Sequence, residues 1–242
     1  MRFILFTLLL LPACTPSSEP VLTVAAASSL RPVLTEIARE YTQATGVPVE
    51  LVFGSSGKLA AQLTAGAPYD LLLAADSLYP AQLLQTGVAS DTARTFAYGP
   101  VVVWSILPDI SLVPDSLFSE SIERIAVPNP TVAPYGRAVA DHLRARSSWE
   151  GLAPKLVYGE SVGQANQFVY SGAAEVGFTA LASLRMLDRS YRFEPLPVPP
   201  LPQVGVVIRA STRTDAAEAF LAHLSTEPAQ LTLRKFGYLT DR

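Results

Sequence analysis

The amino-acid sequence predicts an α/β protein folded into two lobes. From residue 21 onward, short apolar runs alternate with helical periodicity, a succession typical of mostly parallel sheets flanked by helices. Apolar runs near Val101 and near Val206 bracket a middle block that has an α/β pattern of its own. Two crossover strands between lobes would have this arrangement. We therefore predict one lobe from residues 21–99 and 203–242 and a second lobe from residues 100–202.

The composition indicates a folded chain that does not bind nucleic acid. With 242 residues, of which 49% are hydrophobic and 16% charged, the chain can bury a sizeable core. The 18 basic and 21 acidic side chains give a formal net charge of -3, and no run of Lys or Arg would follow a phosphate backbone. The single cysteine, Cys14, excludes an intramolecular disulfide and a multi-thiolate metal site.

The first fourteen residues predict a lipoprotein-type signal peptide. An apolar stretch over residues 3–11 is too short to span a bilayer as a helix. It is followed by Pro-Ala-Cys, which resembles the lipobox in which a cysteine is lipidated and becomes the mature N-terminus. We predict lipidation of Cys14 and a flexible linker over residues 15–20. Pro12 departs from the usual pattern and leaves cleavage by an ordinary signal peptidase near Ala13 open.

In the first lobe, a strand, a serine-containing turn and a helix occur twice in succession. The first helix has apolar residues at helical spacing from Leu30 to Tyr41, with Ser28 or Ser29 as its N-cap and Gly46 as its stop. The other elements predicted as far as residue 105 are strands over 21–25, 47–53, 70–75 and 101–105 and helices over 58–65 and 80–85.

The second half of the chain repeats this scheme and ends in two helices. The proline-rich stretch over residues 195–202 predicts a connector without regular structure. The predicted strands cover residues 125–127, 156–158, 176–179 and 203–208, and the predicted helices cover 136–146, 163–170, 215–225 and 228–236.

Four strand-to-helix turns carry small hydroxyl or glycine residues at a helix start. Such a start has unpaired N–H groups and about half a positive charge, so it attracts an anion without a cationic side chain. In open α/β sheets these turns lie at the carboxyl ends of the strands, where ligands bind. Serine caps helices routinely, but four turns together predict a small anion between the lobes. The turns are Ala27–Ser29, Gly54–Gly57, Ala133–Gly136 and Ser161–Gly163.

The residues at these turns resemble the ModA family of periplasmic molybdate-binding proteins. The resemblance runs in order along nearly the whole chain after the linker, as far as Phe236-Gly237-Tyr238. The segments that carry it are Val24–Leu30, Gly54–Gly57, Gly66–Asp70 with Ala74–Asp76, Asn129–Pro130 with Ala133–Gly136, and Ser161–Ala165.

This resemblance implies a type II periplasmic-binding-protein fold with an oxyanion in the cleft between two lobes. Ser28, Ser29 and Ser56 would supply hydroxyl and amide donors from the first lobe. Tyr135 and Val162 would donate backbone N–H groups from the second. The ligand would be molybdate or tungstate, and no cofactor is expected.

One position departs from the family pattern. Some members place a tyrosine hydroxyl on the ligand after the strand that here reads Gly177-Phe178-Thr179, but this sequence continues with Ala180. That contact is either absent or supplied by another group.

The resemblance also implies a binding protein and not an enzyme. It would deliver its ligand to an ABC permease and the permease's ATPase. We expect a monomer in the periplasm or at the outer face of the cell membrane, attached through the lipid at Cys14.

The neutral donors have a consequence for selectivity. Molybdate is fully deprotonated at neutral pH, whereas phosphate keeps a proton that donors alone leave unsatisfied, at about 1 to 3 kcal/mol per group. Sulfate is excluded only by the size of the site. Because the same scaffold serves sulfate, phosphate, iron and organic solutes, another oxyanion such as sulfate is the alternative ligand.

An enzyme is the rival class, because residues 159–163 match the G-x-S-x-G pattern of serine hydrolases. Ser161 would be the nucleophile, and Asp188 or Asp215 and then His223 follow in the order of that class. However, His223 lies in a helical stretch, and no His-Gly-Gly-Gly segment is present. This reading is therefore the weaker one.

Two further patterns have structural explanations. Gly54-Ser55-Ser56-Gly57-Lys58 is too short between its glycines for a P-loop, and Leu59 follows the lysine. Asp70 and Asp76 have no neighbouring cysteine or histidine, so we expect them to cap turns or pair with backbone and not to hold a metal. Tyr69, Tyr79 and Trp104 are expected to be packing residues.

Overall fold

The computed structural model describes residues 21–90 and 93–240. The predicted signal peptide, Cys14 and the linker over residues 15–20 lie outside these ranges. Within the described part of the chain, no helix has the length and apolar character needed to cross a membrane.

Strands and helices alternate along most of the described chain. The strands are β1 Leu22–Ala27, β2 Val49–Gly54, β3 Leu71–Ala74, β4 Arg94–Gly99, β5 Val101–Ser105, β6 Ile125–Pro128, β7 Leu156–Gly159, β8 Val176–Ala180, β9 Arg192–Pro195 and β10 Leu201–Val207. The α-helices are α1 Arg31–Thr45, α2 Ser56–Thr64, α3 Leu78–Gln85, α4 Pro134–Ala145, α5 Trp149–Leu152, α6 Val162–Tyr170, α7 Leu181–Leu184, α8 Thr214–His223 and α9 Glu227–Lys235. Short 3₁₀ helices cover Ser28–Leu30, Pro114–Phe118 and Ala153–Lys155.

The strands form two five-stranded sheets with the same internal plan. Their orders are β2-β1-β3-β10-β4 and β7-β6-β8-β5-β9. In the first sheet β10 runs antiparallel to both its neighbours, and in the second sheet β5 does so. The remaining pairs, β1 with β2 and β3, and β6 with β7 and β8, are parallel. The predicted α/β class with two mixed, mostly parallel sheets is confirmed.

The chain passes between the two sheets along two neighbouring segments. The first crossover joins β4 to β5 through Pro100, and the second leads from β9 into β10. These segments lie side by side, because Gly99 at the end of β4 pairs with Leu201 at the start of β10. We call this pair of segments the hinge. The strand β10 begins at Leu201 and not at residue 203, where the boundary between the lobes was predicted.

The helix α1 shows how the apolar pattern becomes core. Its buried face includes Val33, Leu34, Ile37 and Tyr41, as the helical spacing predicted. The Tyr41 ring meets the Phe220 ring of α8 edge to face, with centroids 5.0 Å apart. The C-terminal helices therefore pack on the first sheet and on α1.

Three local predictions were wrong. Neither Ser28 nor Ser29 caps α1, because both lie in a 3₁₀ turn and the helix starts only at Arg31, where Pro32 favours the first turn. The stretch over residues 195–202 is not irregular throughout, since it holds the end of β9 and the start of β10. The strands β4 and β9 were missed, because their mixed polar sequences lack a clear apolar run.

A glycine allows α4 to lie directly on the end of β6. A Cβ atom at Gly136 would overlap the backbone carbonyl of Pro128. We expect Gly136→Ala to lower the free energy of unfolding by about 1 to 3 kcal/mol through overpacking, measured by urea denaturation. Gly163→Ala in α6 is the matched control, because a Cβ there would meet no atom closer than 3.7 Å. Equal stability of the two variants would contradict this close approach.

Candidate functional site

The four predicted turns lie at the carboxyl ends of adjacent parallel strands. In the first sheet, Ala27 at the end of β1 pairs in register with Gly54 at the end of β2. In the second sheet, Pro128 at the end of β6 pairs with Gly159 at the end of β7. Each sheet therefore presents two turns at one edge, which is where open α/β sheets bind ligands.

The first lobe contributes serine hydroxyls at this edge. Ser29 is buried, and its hydroxyl has no hydrogen-bond partner in the described structure. Ser56 is the first residue of α2, is fully buried, and its Oγ accepts a hydrogen bond of 3.1 Å from the Ala75 N–H, so its own proton is free to donate. Ser55, which sequence reasoning did not single out, also has a buried hydroxyl without a partner.

The second lobe contributes two helix starts. Val162 is the first residue of α6, and Tyr135 is the second residue of α4, after Pro134. The predicted helix over residues 136–146 left Tyr135 in the turn before it. Tyr135 instead lies inside α4, which begins at Pro134. The N–H groups of a first helical turn have no partner within their helix, so both positions present backbone donors.

Contacts between the lobes join these turns into one site. The Gly163 N–H at the start of α6 donates to the Ser28 Oγ over 3.2 Å. The Gly57 N–H in the first turn of α2 donates over 2.9 Å to the carbonyl of Val132, a residue that lies just before α4. Both bonds connect the first lobe to the second. The structure thus brings Ser28, the start of α2, the start of α4 and the start of α6 together.

Ion pairs link the two lobes beside the site. Arg137 of α4 pairs with Asp76, and Lys58 of α2 pairs with Glu160. Asp76 is buried, and burial raises the pKa of its carboxyl above the usual value even though Arg137 opposes that shift. Both cationic side chains have acidic partners, whereas the helix starts carry partial positive charge of their own.

Sequence reasoning missed the role of these linking residues. Asp76 was expected to cap a turn, and it does accept a 3.4 Å bond from the Tyr79 N–H, but it also pairs across the lobes. Tyr79 was expected only to pack, yet its hydroxyl donates to the Thr131 carbonyl over 3.2 Å. Partners this far apart in the chain leave no local pattern from which to predict them. Asp70 pairs with backbone as expected, accepting a 2.8 Å bond from the Thr23 N–H.

Two predictions remain, one for Ala180 and one for Ser161. Ala180 ends β8 and is buried, and its methyl group cannot donate a hydrogen bond. Ser161 is the N-cap of α6, and its Oγ accepts a 3.3 Å bond from the Gln164 N–H. Such a bond is typical of a structural cap. Among the described residues, no group of three or more His, Cys, Asp or Glu side chains is arranged to hold a metal ion.

The comparisons with known proteins agree with this architecture. Residues 22–239 match the family model of the bacterial extracellular solute-binding proteins. The chain is 31% identical over 229 residues to the molybdate-binding protein ModA of Rhodobacter capsulatus, covering 93% of this chain and 91% of that protein.

A second relative and a solved structure extend the comparison. A Bacillus subtilis protein, whose name describes an ABC transporter substrate-binding lipoprotein, is 27% identical and covers 94% of this chain and 90% of its own length. The solved structure of the periplasmic molybdate-binding protein of Azotobacter vinelandii superposes with a TM-score of 0.84 at 30% identity, covering 91% of this chain and all of that one. The chain therefore belongs to the bacterial extracellular solute-binding proteins and, among them, to the ModA family.

Proposed function

We propose that this solute-binding protein captures molybdate or tungstate and delivers it to an ABC importer. The observation that carries the proposal is that serine hydroxyls and helix starts of the first lobe meet helix starts of the second lobe across two interlobe hydrogen bonds. In our assignment Ser28, Ser29 and Ser56 donate from the first lobe, and the N–H groups of Tyr135 and Val162 donate from the second. The names of the two ModA proteins support molybdate as the ligand.

The chemistry of the donors supports a fully deprotonated dianion. Each oxygen of molybdate accepts hydrogen bonds, which matches a site made of hydroxyl and N–H groups. The buried, unpartnered hydroxyl of Ser29 would find an acceptor in the ligand. A protonated oxyanion such as monohydrogen phosphate would instead face donors with its own P–OH group, at about 1 to 3 kcal/mol.

We expect isothermal titration of the purified protein to show 1:1 binding of molybdate and tungstate at neutral pH. Separate titrations with phosphate and sulfate should give no heat of binding, phosphate because of its proton and sulfate because of its smaller size. Tight sulfate binding would leave the fold assignment intact and would identify sulfate as the ligand. Binding of none of the four anions would refute the assignment of the cleft to tetrahedral oxyanions.

The Ser56 hydroxyl provides the sharpest test of an individual donor. Because Ser56 is fully buried at the start of α2, a Ser56→Ala variant loses a hydrogen bond to a charged acceptor. We expect the binding free energy for molybdate to weaken by about 1.5 to 3 kcal/mol, which titration would show as a higher dissociation constant.

The matched control for this variant is Ser171→Ala. Ser171 is the C-cap of α6, at the opposite end of that helix from Val162. Its loss should leave the molybdate affinity unchanged. An unchanged dissociation constant in Ser56→Ala as well would show that this hydroxyl does not contact the ligand.

We further propose that the chain is anchored to the membrane by a lipid on Cys14. The apolar stretch that ends in Pro-Ala-Cys supports this, as does the name of the Bacillus relative. Mass spectrometry of the membrane fraction should find a mature chain that begins at diacylated Cys14, and Cys14→Ser should release the protein. A mature chain that begins at unmodified Thr15 or later would contradict the anchor.

We also infer that the protein acts as a monomeric carrier and not as a hydrolase. The Ser161 hydroxyl is engaged with the start of its own helix. His142 and His223 lie in the last turns of α4 and α8, each at the far end of its helix from the first turn. The permease and its ATPase are the implied partners.

A further inference from the structure

The side chain of Tyr135 connects the candidate anion site to the hinge. Its backbone N–H lies in the first turn of α4, at the cleft. Its ring is fully buried, and its hydroxyl reaches Gly99 and Gln203. These two residues belong to β4 and β10, the two strands of the hinge. One residue of the second lobe therefore extends from the candidate anion site to the two segments that connect the lobes.

A gap at Gly99 receives the Tyr135 hydroxyl. A Cβ atom at Gly99 would overlap the hydroxyl oxygen and would lie 3.0 Å from the Gln203 Nε2 and 3.1 Å from the Tyr238 Cε1. Glycine is required here by space, because any larger residue in β4 would occupy the position of the hydroxyl. The hydroxyl can seat against the hinge only because no side chain projects from Gly99.

Among residues 21–90 and 93–240, the seated hydroxyl is buried without a hydrogen-bond partner. Neither the Tyr135 hydroxyl nor the Gln203 Oε1 has a partner within the described residues. Of the groups around it, the Gln203 Nε2 donates to the Leu201 carbonyl over 2.8 Å and the Tyr238 hydroxyl donates to the Ser29 carbonyl over 3.0 Å. An unpaired buried hydroxyl disfavours the arrangement that buries it.

We propose that Tyr135 is a positioning residue whose hydroxyl, seated against Gly99, sets the closed angle of the lobes and promotes their reopening. The anion binds at the N–H end of the same residue, so the position of α4 that suits the ligand also places the hydroxyl in the hinge. Opening the hinge lets water reach the hydroxyl and relieves its unmet hydrogen bond. The inference rests on the proposed function, because closure is driven by the bound oxyanion.

The first consequence concerns release of the ligand. Tyr135→Phe keeps the ring and the backbone N–H and removes only the unpaired hydroxyl. We expect molybdate to dissociate about five- to tenfold more slowly in stopped-flow measurements, since the closed state no longer buries an unsatisfied group. Tyr41→Phe is the control. Tyr41 is a buried residue of α1 that packs against Phe220 of α8, so its hydroxyl should not affect release.

The second consequence concerns steric coupling between Gly99 and the hydroxyl. Gly99→Ala should hold the lobes apart and weaken molybdate binding about tenfold or more, since its methyl group takes the place of the hydroxyl. In the Tyr135→Phe background the same substitution should weaken binding only about threefold or less, because the overlapping atom is gone. Residues in direct contact are expected to show this non-additivity.

Each outcome bears on the proposal. An equal effect of Gly99→Ala in both backgrounds, or a release rate that Tyr135→Phe leaves unchanged or accelerates, would overturn it. If Gly99→Ala fails to fold, the release rate of Tyr135→Phe alone decides. Absence of molybdate and tungstate binding in the wild-type protein would refute the proposed function and this inference with it. Binding together with an additive cycle would refute only the hinge assignment.

Discussion

The backbone N–H groups at the starts of α2, α4 and α6, which have no partner within their own helices, are the constraint on which the rest of the structure depends. A helix cannot satisfy the donors of its own first turn, and these turns meet where the two lobes touch. Away from water, such donors need acceptors, and the protein itself supplies acceptors for only some of them. The Ser28 hydroxyl accepts from Gly163, and the Val132 carbonyl accepts from Gly57. The remaining donors define what the cleft can hold.

Charge is arranged around this site and kept out of its centre. Two cations near the helix starts, Arg137 of α4 and Lys58 of α2, are paired with Asp76 and Glu160 of the opposite lobes. These pairs therefore connect the lobes, and hydroxyl and N–H groups remain as the proposed donors to the anion. The attraction of an anion to the site then depends on the helix starts, and the sheets fix the direction in which these helices point. This division allows a small dianion to be selected by its proton count and size and not by charge alone.

Much of the fold follows from the sequence, and the parts that do not have identifiable physical reasons. The apolar face from Leu30 to Tyr41 predicted α1, and the serine and glycine turns predicted the starts of α2, α4 and α6 to within two residues. The 3₁₀ turn at Ser28–Leu30 was not predicted, because serine before a helix usually caps it. The strand β9 pairs only with β5 at the sheet edge and is mostly exposed, so it carries little apolar signal.

The site was predictable at the level of its turns and not of its long-range partners. Resemblance and helix starts led to five proposed donor residues, which the structure places in the segments that follow β1, β2, β6 and β7. The Asp76–Arg137 pair and the contact of Tyr135 with Gly99 join residues from different lobes. Such contacts depend on the closed arrangement of two sheets, which no local spacing encodes.

The most direct test of this account is anomalous diffraction at the molybdenum edge from crystals grown with molybdate. The account predicts one strong peak per chain, between Ser56 at the start of α2 and Val162 at the start of α6. A peak elsewhere on the protein, or none between the lobes at saturating molybdate, would contradict the central claim that the converging helix starts bind the anion.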